Sequence, residues 1–300
     1  MISSETKNPS PFTTVIGNAP LSEQQPSNFK CEVTYKPRGI FLYKIKVLIE
    51  IVDTLKALAM RSFEQHEYDF QVTSEGIRVR FRSSATHPVG YQVKSIMWTL
   101  RWIAWHFHNT GHTEPNPYRE VTFKTRYGDE QFLGFGHLLS APSPSSSAPN
   151  SSSLSESKIT ITNFICLDLG LEYEPADIYA ALINMMIGAA ETFPERGGGS
   201  HYFAVYNSNA DATLLLASTS ERAAPLQYDV VITLLGELGY RMANFERQYR
   251  WRQFTFLIRD DGRIIGRGAW TKGRVTAAEG FFGKDMEQLD KSPTVLLEAS

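Results

Sequence analysis

The chain has 300 residues, of which 42% are hydrophobic, 21% charged and 12% aromatic, and its formal net charge is −2. That length accommodates two domains that each bury a core, and the near-neutral charge excludes a uniformly basic surface. Two cysteines, Cys31 and Cys166, are too few for a disulfide framework.

Residues 1–27 are rich in Ser, Thr, Pro, Asn and Gln and read as a disordered N-terminal segment. They lack the basic stretch and apolar run of a signal peptide, and no run of about 18 apolar residues follows anywhere. A soluble protein of the cytoplasm or nucleus, with no membrane partner, is expected.

A first module, residues 28–140, follows in the order β-α-β-β-α-β-β. Phe29 to Tyr35 is a strand candidate. Phe41, Ile45, Leu48, Val52, Leu55 and Ala59 recur at helical spacing. Tyr68 to Val72 and Ile77 to Phe81 alternate apolar and polar around Ser74-Glu75-Gly76, a hairpin pattern. Pro88 opens a second helix from Val89 to Asn109, suiting proline's fixed φ. Val121 to Phe123 and Phe132 to Leu138 close the module around Tyr127-Gly128-Asp129.

Residues 141–157 are a Ser/Pro-rich linker that cannot bury enough apolar area to fold. The second module, residues 158–275, repeats the plan and ends on a hairpin around Asp260-Asp261-Gly262. The tail, residues 276–300, has weak periodicity.

Five matches in chain order support a duplication. Asn28-Phe29-x-Cys31 answers Asn163-Phe164-x-Cys166, Tyr43 answers Tyr179, and Tyr68 answers Tyr202. Pro88-x-x-Tyr91 answers Pro225-x-x-Tyr228, and Gly134-x-Gly136 answers Gly266-x-Gly268. The expected fold class is therefore α+β: internally duplicated ferredoxin-like modules forming an intramolecular pseudo-dimer, each closing strand extending its sheet.

One surface stands out. On the second helix, Val93, Ile96, Met97, Leu100, Ala104 and Phe107 span about 100° and are assigned to the sheet. Trp98, Trp102 and Trp105 fall within about 60° on the other side. These tryptophans and His106 form the candidate ligand or partner surface, unless the other module covers it through Gly236 and Gly239, which permit close helix approach.

Catalytic motifs are absent. His106 and His108 point about 160° apart on a helix, so no metal site is assigned. Cys31 and Cys166 read as core residues without a paired base. Gly-x-Gly at 134–136 and 266–268 lies within strands, where it marks a bulge or close packing rather than a cofactor loop; no cofactor is expected. Phe245-Glu-Arg247-Gln-Tyr249-Arg250-Trp251-Arg252 follows the logic of RNA-recognition modules. Leu133-Gly134-Phe135-Gly136-His137 echoes part of their aromatic motif, without its flanking basic residue or later aromatic. The acidic Asp260-Asp261 pair and the near-neutral charge count against nucleic acid, which is not the expected partner. The reading is a non-catalytic binding or scaffolding protein with a protein or apolar small-molecule partner. The alternative is an isomerase, cyclase or hydrolase acting on an apolar substrate between sheet and helices.

Overall fold

In the computed structural model, residues 12–16, 19–20, 28–74, 76–84, 91–110, 117–128, 131–141, 159–166, 172–219, 224–245 and 251–275 are described. In chain order they form β1 (Phe12–Ile16), β2 (Ala19–Pro20), β3 (Phe29–Tyr35), α1 (Lys44–Ala59), β4 (His66–Glu67), β5 (Asp69–Ser74) and β6 (Ile77–Ser83). There follow β7 (Tyr91–Gln92), α2 (Val93–Thr110), β8 (Val121–Tyr127), β9 (Gln131–Ser140) and β10 (Ile159–Cys166). The chain continues through α3 (Pro175–Thr192), β11 (Gly199–Ser200), β12 (Tyr202–Asn207) and β13 (Ala212–Ser218). Last come β14 (Leu226–Gln227), α4 (Tyr228–Phe245), β15 (Phe254–Asp260) and β16 (Arg263–Lys272).

The two halves share one strand order. The first sheet runs β3-β8-β9-β6-β5. The second runs β10-β15-β16-β13-β12, then β1 and β2. Neighbouring strands are antiparallel throughout. The arrangement differs from a ferredoxin-like sandwich, where the two strands flanking each helix enclose a single strand. Here β3 and β5, which flank α1, enclose β8, β9 and β6. The closing hairpin does not extend the sheet; it inserts into its middle. Strand alternation specifies which face is buried, not which strand is the neighbour, so the element order left this open.

The glycine pairs make the insertion sterically possible, and they do so identically in both halves. A Cβ on Gly136 would overlap the Phe123 ring and the Arg80 carbonyl, and one on Gly268 would overlap the Phe256 ring. Each phenylalanine lies across the glycine opposite it in register, Phe123 against Gly136 and Phe256 against Gly268. A register shift sits beside the first glycine of each pair, between Thr125 and Arg126 and between Ile258 and Arg259. The glycines thus serve both a bulge and close packing. The final hairpin turns through Asp261 at φ 47° and Gly262 at φ 80°, the left-handed pair of a two-residue type I′ loop.

Helix α1 packs on β5 and β6, α2 on β3, α3 on β12 and β13, and α4 on β10. The helices also pack on one another, chiefly α1 on α3 and α4 and α2 on α3. The result is four layers: sheet, helix pair, helix pair, sheet. Helices enclosed on two sides must be apolar nearly all round. In α1 that includes Ile45, Val47, Leu48, Ile49, Ile51, Val52, Leu55 and Leu58, all buried. Among the described residues no helix is long and apolar enough to cross a membrane.

Polar bonds tie the halves. Tyr228 Oη donates to the Ala59 carbonyl at 2.7 Å, Tyr240 Oη to Asp53 Oδ2 at 2.7 Å, and Lys44 Nζ to Glu174 Oε2 at 3.1 Å. Arg196 lies over the Phe63 and Tyr228 rings. The glycines of α4 do receive a helix from the other half, but that helix is α1. A Cβ on Gly236 would meet Lys56 Cδ at 2.8 Å, and one on Gly239 would meet Val52 Cγ1 at 3.2 Å.

Two further expectations are corrected. The N-terminal segment supplies β1, which pairs with β12 of the second half, and β2, which pairs with β1. Phe12-Thr-Thr-Val-Ile16 is a β-forming run inside a polar composition, and the edge of β12 offers it a ladder. Helix α2 starts at Val93, not Val89, because Tyr91 and Gln92 pair with Glu67 and His66, and Val93 N–H donates to the Gln65 carbonyl. Pro88, the linker at 142–157 and the tail lie outside the described residues.

Candidate functional site

The structure separates the four residues singled out on α2. Trp98 is only 2% exposed: its ring meets Phe29 and Phe63 edge-on, and its Nε1 donates to Glu191 Oε1 of α3 at 2.9 Å. It belongs to the interior and cannot be part of an open surface. Trp102 and Trp105 stay half-buried, in edge-to-face contact at 5.2 Å. His106 lies 5.5 Å from Tyr35 of β3, while His108 reaches Asp177 of α3 at 3.5 Å, so the two rings go to opposite sides. The helical phase assigned from sequence was rotated: Ser95 and Thr99 meet Tyr127 and Tyr91 on the sheet side. Burial holds Asp177 above the usual carboxylate range, against the charge of His108 and a hydrogen bond from Asn207.

Cys31 packs against the core, and burial, then the adjacent Glu32 charge, push its thiol up to about 12. A thiol so protonated is a poor nucleophile at neutral pH. The side chain of Cys166 and residues 246–250 of the arginine–aromatic run lie outside the described residues.

The most distinctive surface is the outer face of the first sheet, away from the helices. On β6, Ile77, Val79 and Phe81 point inward and Arg78, Arg80 and Arg82 outward. In register they stand opposite Leu139, His137 and Phe135 of β9. Phe135 then faces Lys124 of β8, and beyond the bulge Phe132 faces Arg126, which faces Lys30. Within the strands six cations thus share this face with two carboxylates, Glu32 and Asp69, and just past β3 Lys36 pairs with Glu120 at 3.4 Å. Asp69 accepts from Arg80 Nε at 2.7 Å and lies 3.4 Å from Arg82 Nε; Arg126 binds Glu32. The Arg80 hydrogen bond holds the Asp69 carboxyl below its usual range. Among these cations the two phenylalanines remain exposed, Phe132 at 36% and Phe135 at 43%. Burial, and then the charges of Arg78, Arg80, Arg82 and Lys36, push His137 below its ordinary value.

The second module shows that this charge is not a requirement of the fold. Matched through the glycine register, its equivalents of Arg78, Arg80 and Arg82 are Thr213, Leu215 and Ala217, and Leu257 replaces Lys124. There, Tyr202, Ala204, Leu215 and Ala217 form a buried apolar cluster. Sequence reading noticed Phe135 and His137 but not that β6 and β8 flank them with cations. The Arg-x-Arg-x-Arg alternation of β6 was the available signal.

No family model matches the chain, and no curated protein matches it. Among solved structures it is similar to the tandem DUF26 ectodomain of the cysteine-rich receptor-like protein PDLP8 from Arabidopsis thaliana. The identity is 8% and the TM-score 0.24, over 81% of this chain and 96% of that one. The corresponding ectodomain of PDLP5 from the same plant gives 10% and 0.22, over 81% and 98%. At these scores the likeness decides nothing about function.

Proposed function

We propose that the protein is a non-catalytic binding protein that engages an anionic polymer through the outer face of its first sheet. The observation that carries this reading is the concentration of six cations around two exposed phenylalanines; at five of those six positions the second module carries Thr, Leu or Ala, and only Arg126 has a cationic counterpart, Arg259. A net charge of −2 makes such a concentration notable, because the excess on this face is balanced by acid elsewhere. Focused positive potential attracts polyanions without a preformed pocket. The second module supports this face from behind through the helix layers.

Retention on immobilised heparin, read against salt, tests the reading. The full chain should elute above physiological salt, and Arg78→Glu with Lys124→Glu should elute well below it while melting within a few degrees of the parent. Equal retention of parent and variant would overturn the proposal.

A further inference from the structure

Resting on that reading, we infer that the polymer is single-stranded nucleic acid, its bases stacked on Phe132 and Phe135 and its phosphates held by Lys124, Arg126 and Arg82. Charge alone attracts any polyanion; the phenylalanines narrow the choice. An exposed aromatic ring among arginines is poorly solvated unless a flat partner covers it, and bases supply flat faces that sulfated sugars lack. The geometry is repeated. Lys124 faces Phe135 and, two residues along β8, Arg126 faces Phe132. Two residues advance about 7 Å along a strand, a step that an extended single strand takes per nucleotide. Each ring therefore has its own cation at the spacing of successive nucleotides. Arg82, on the other side of Phe135, closes that position from β6.

A duplex fits less well. Its bases are already stacked inside, and its major groove admits a two-stranded ribbon rather than the broad face of a five-stranded sheet. Single strands are instead bound on such sheets through aromatic platforms and flanking cations. Thr34, Thr122, Gln71 and Thr73 border the charged rows with donors and acceptors. They would be available to base edges without demanding one sequence.

The test is fluorescence anisotropy on the full chain with four labelled probes: a mixed-sequence 12-nucleotide single strand as RNA and as DNA, the DNA duplex, and a heparin oligosaccharide. The single strands should bind most tightly, and a preference between RNA and DNA identifies the source. Phe135→Ala should weaken single-strand binding about tenfold, leave heparin within about twofold, and be rescued by Phe135→Tyr. Lys124→Ala should reduce the slope of log affinity against log salt by about 0.7. If Phe135→Ala weakens every probe alike, or none, the stacking inference is overturned while polyanion binding stands. If no probe binds, the reading of the face falls and the inference with it.

Discussion

His137 faces Arg78, Arg80, Arg82 and Lys36, with the Asp69 and Glu32 carboxylates farther along the same face. Its folded value lies below the ordinary one, so between the two the unfolded chain binds more protons. His137 therefore contributes stability at neutral pH that is lost as pH falls below about 6.5. A bound polyanion reverses the local field and favours imidazolium. Polyanion affinity should accordingly rise between pH 7 and 5.5, more steeply than in His137→Gln; identical profiles would exclude His137 from the binding face. Trp98 gives a separate test. Trp98→Ala removes a buried indole and its bond to Glu191 and should cost about 3–5 kcal/mol in urea unfolding. Trp105→Ala, at a half-buried ring, should cost about 1 kcal/mol. Equal losses would restore the idea of a single tryptophan surface.

At the scale of elements, the glycine pairs are the repeated device. Gly136→Ala and Gly268→Ala should each cost about 1–3 kcal/mol, because the added methyl overlaps the Arg80 carbonyl and the Phe123 ring at the first and the Phe256 ring at the second. Phe123→Leu should recover part of the Gly136→Ala loss, giving a non-additive double mutant; strict additivity would mean the ring is not the obstacle. Much of the element order was legible because hydrophobic period and turn residues are local signals. The Asp260-Asp261-Gly262 turn and the α1 stripe are examples. The five anchors fared unequally. Gly134-x-Gly136 and Gly266-x-Gly268 occupy the same register, since a steric need holds them. Tyr43 precedes α1, whereas Tyr179 lies within α3, because nothing in the fold requires a tyrosine at one shared place. Strand order was not legible: it depends on pairings distant in sequence that alternation does not encode. The basic face was legible only in part, through the alternating arginines of β6, for the same reason. Its cations come from β3, β6 and β8, which only the sheet brings together.

Among the described residues two large sheets clasp four helices, with β1 reaching from ahead of the first module to the second sheet. Deleting residues 1–20 should expose the β12 edge and promote self-association, visible as a larger species in size-exclusion chromatography; an unchanged profile would mean β1 is dispensable for covering the edge. The linker, being small and polar, should be the first site of limited proteolysis, with the two fragments staying together through the Tyr228, Tyr240 and Lys44 contacts. On the proposed reading the second module is a support and the first sheet's outer face is the working surface. The most direct test of that assignment is to titrate the full chain with the single-stranded oligonucleotide and follow backbone amide resonances. The account predicts shifts gathered on Arg80, Arg82, Lys124, Phe132, Phe135 and His137, with the second sheet unmoved. Shifts confined to the second sheet, or to Trp102 and Trp105, would contradict it.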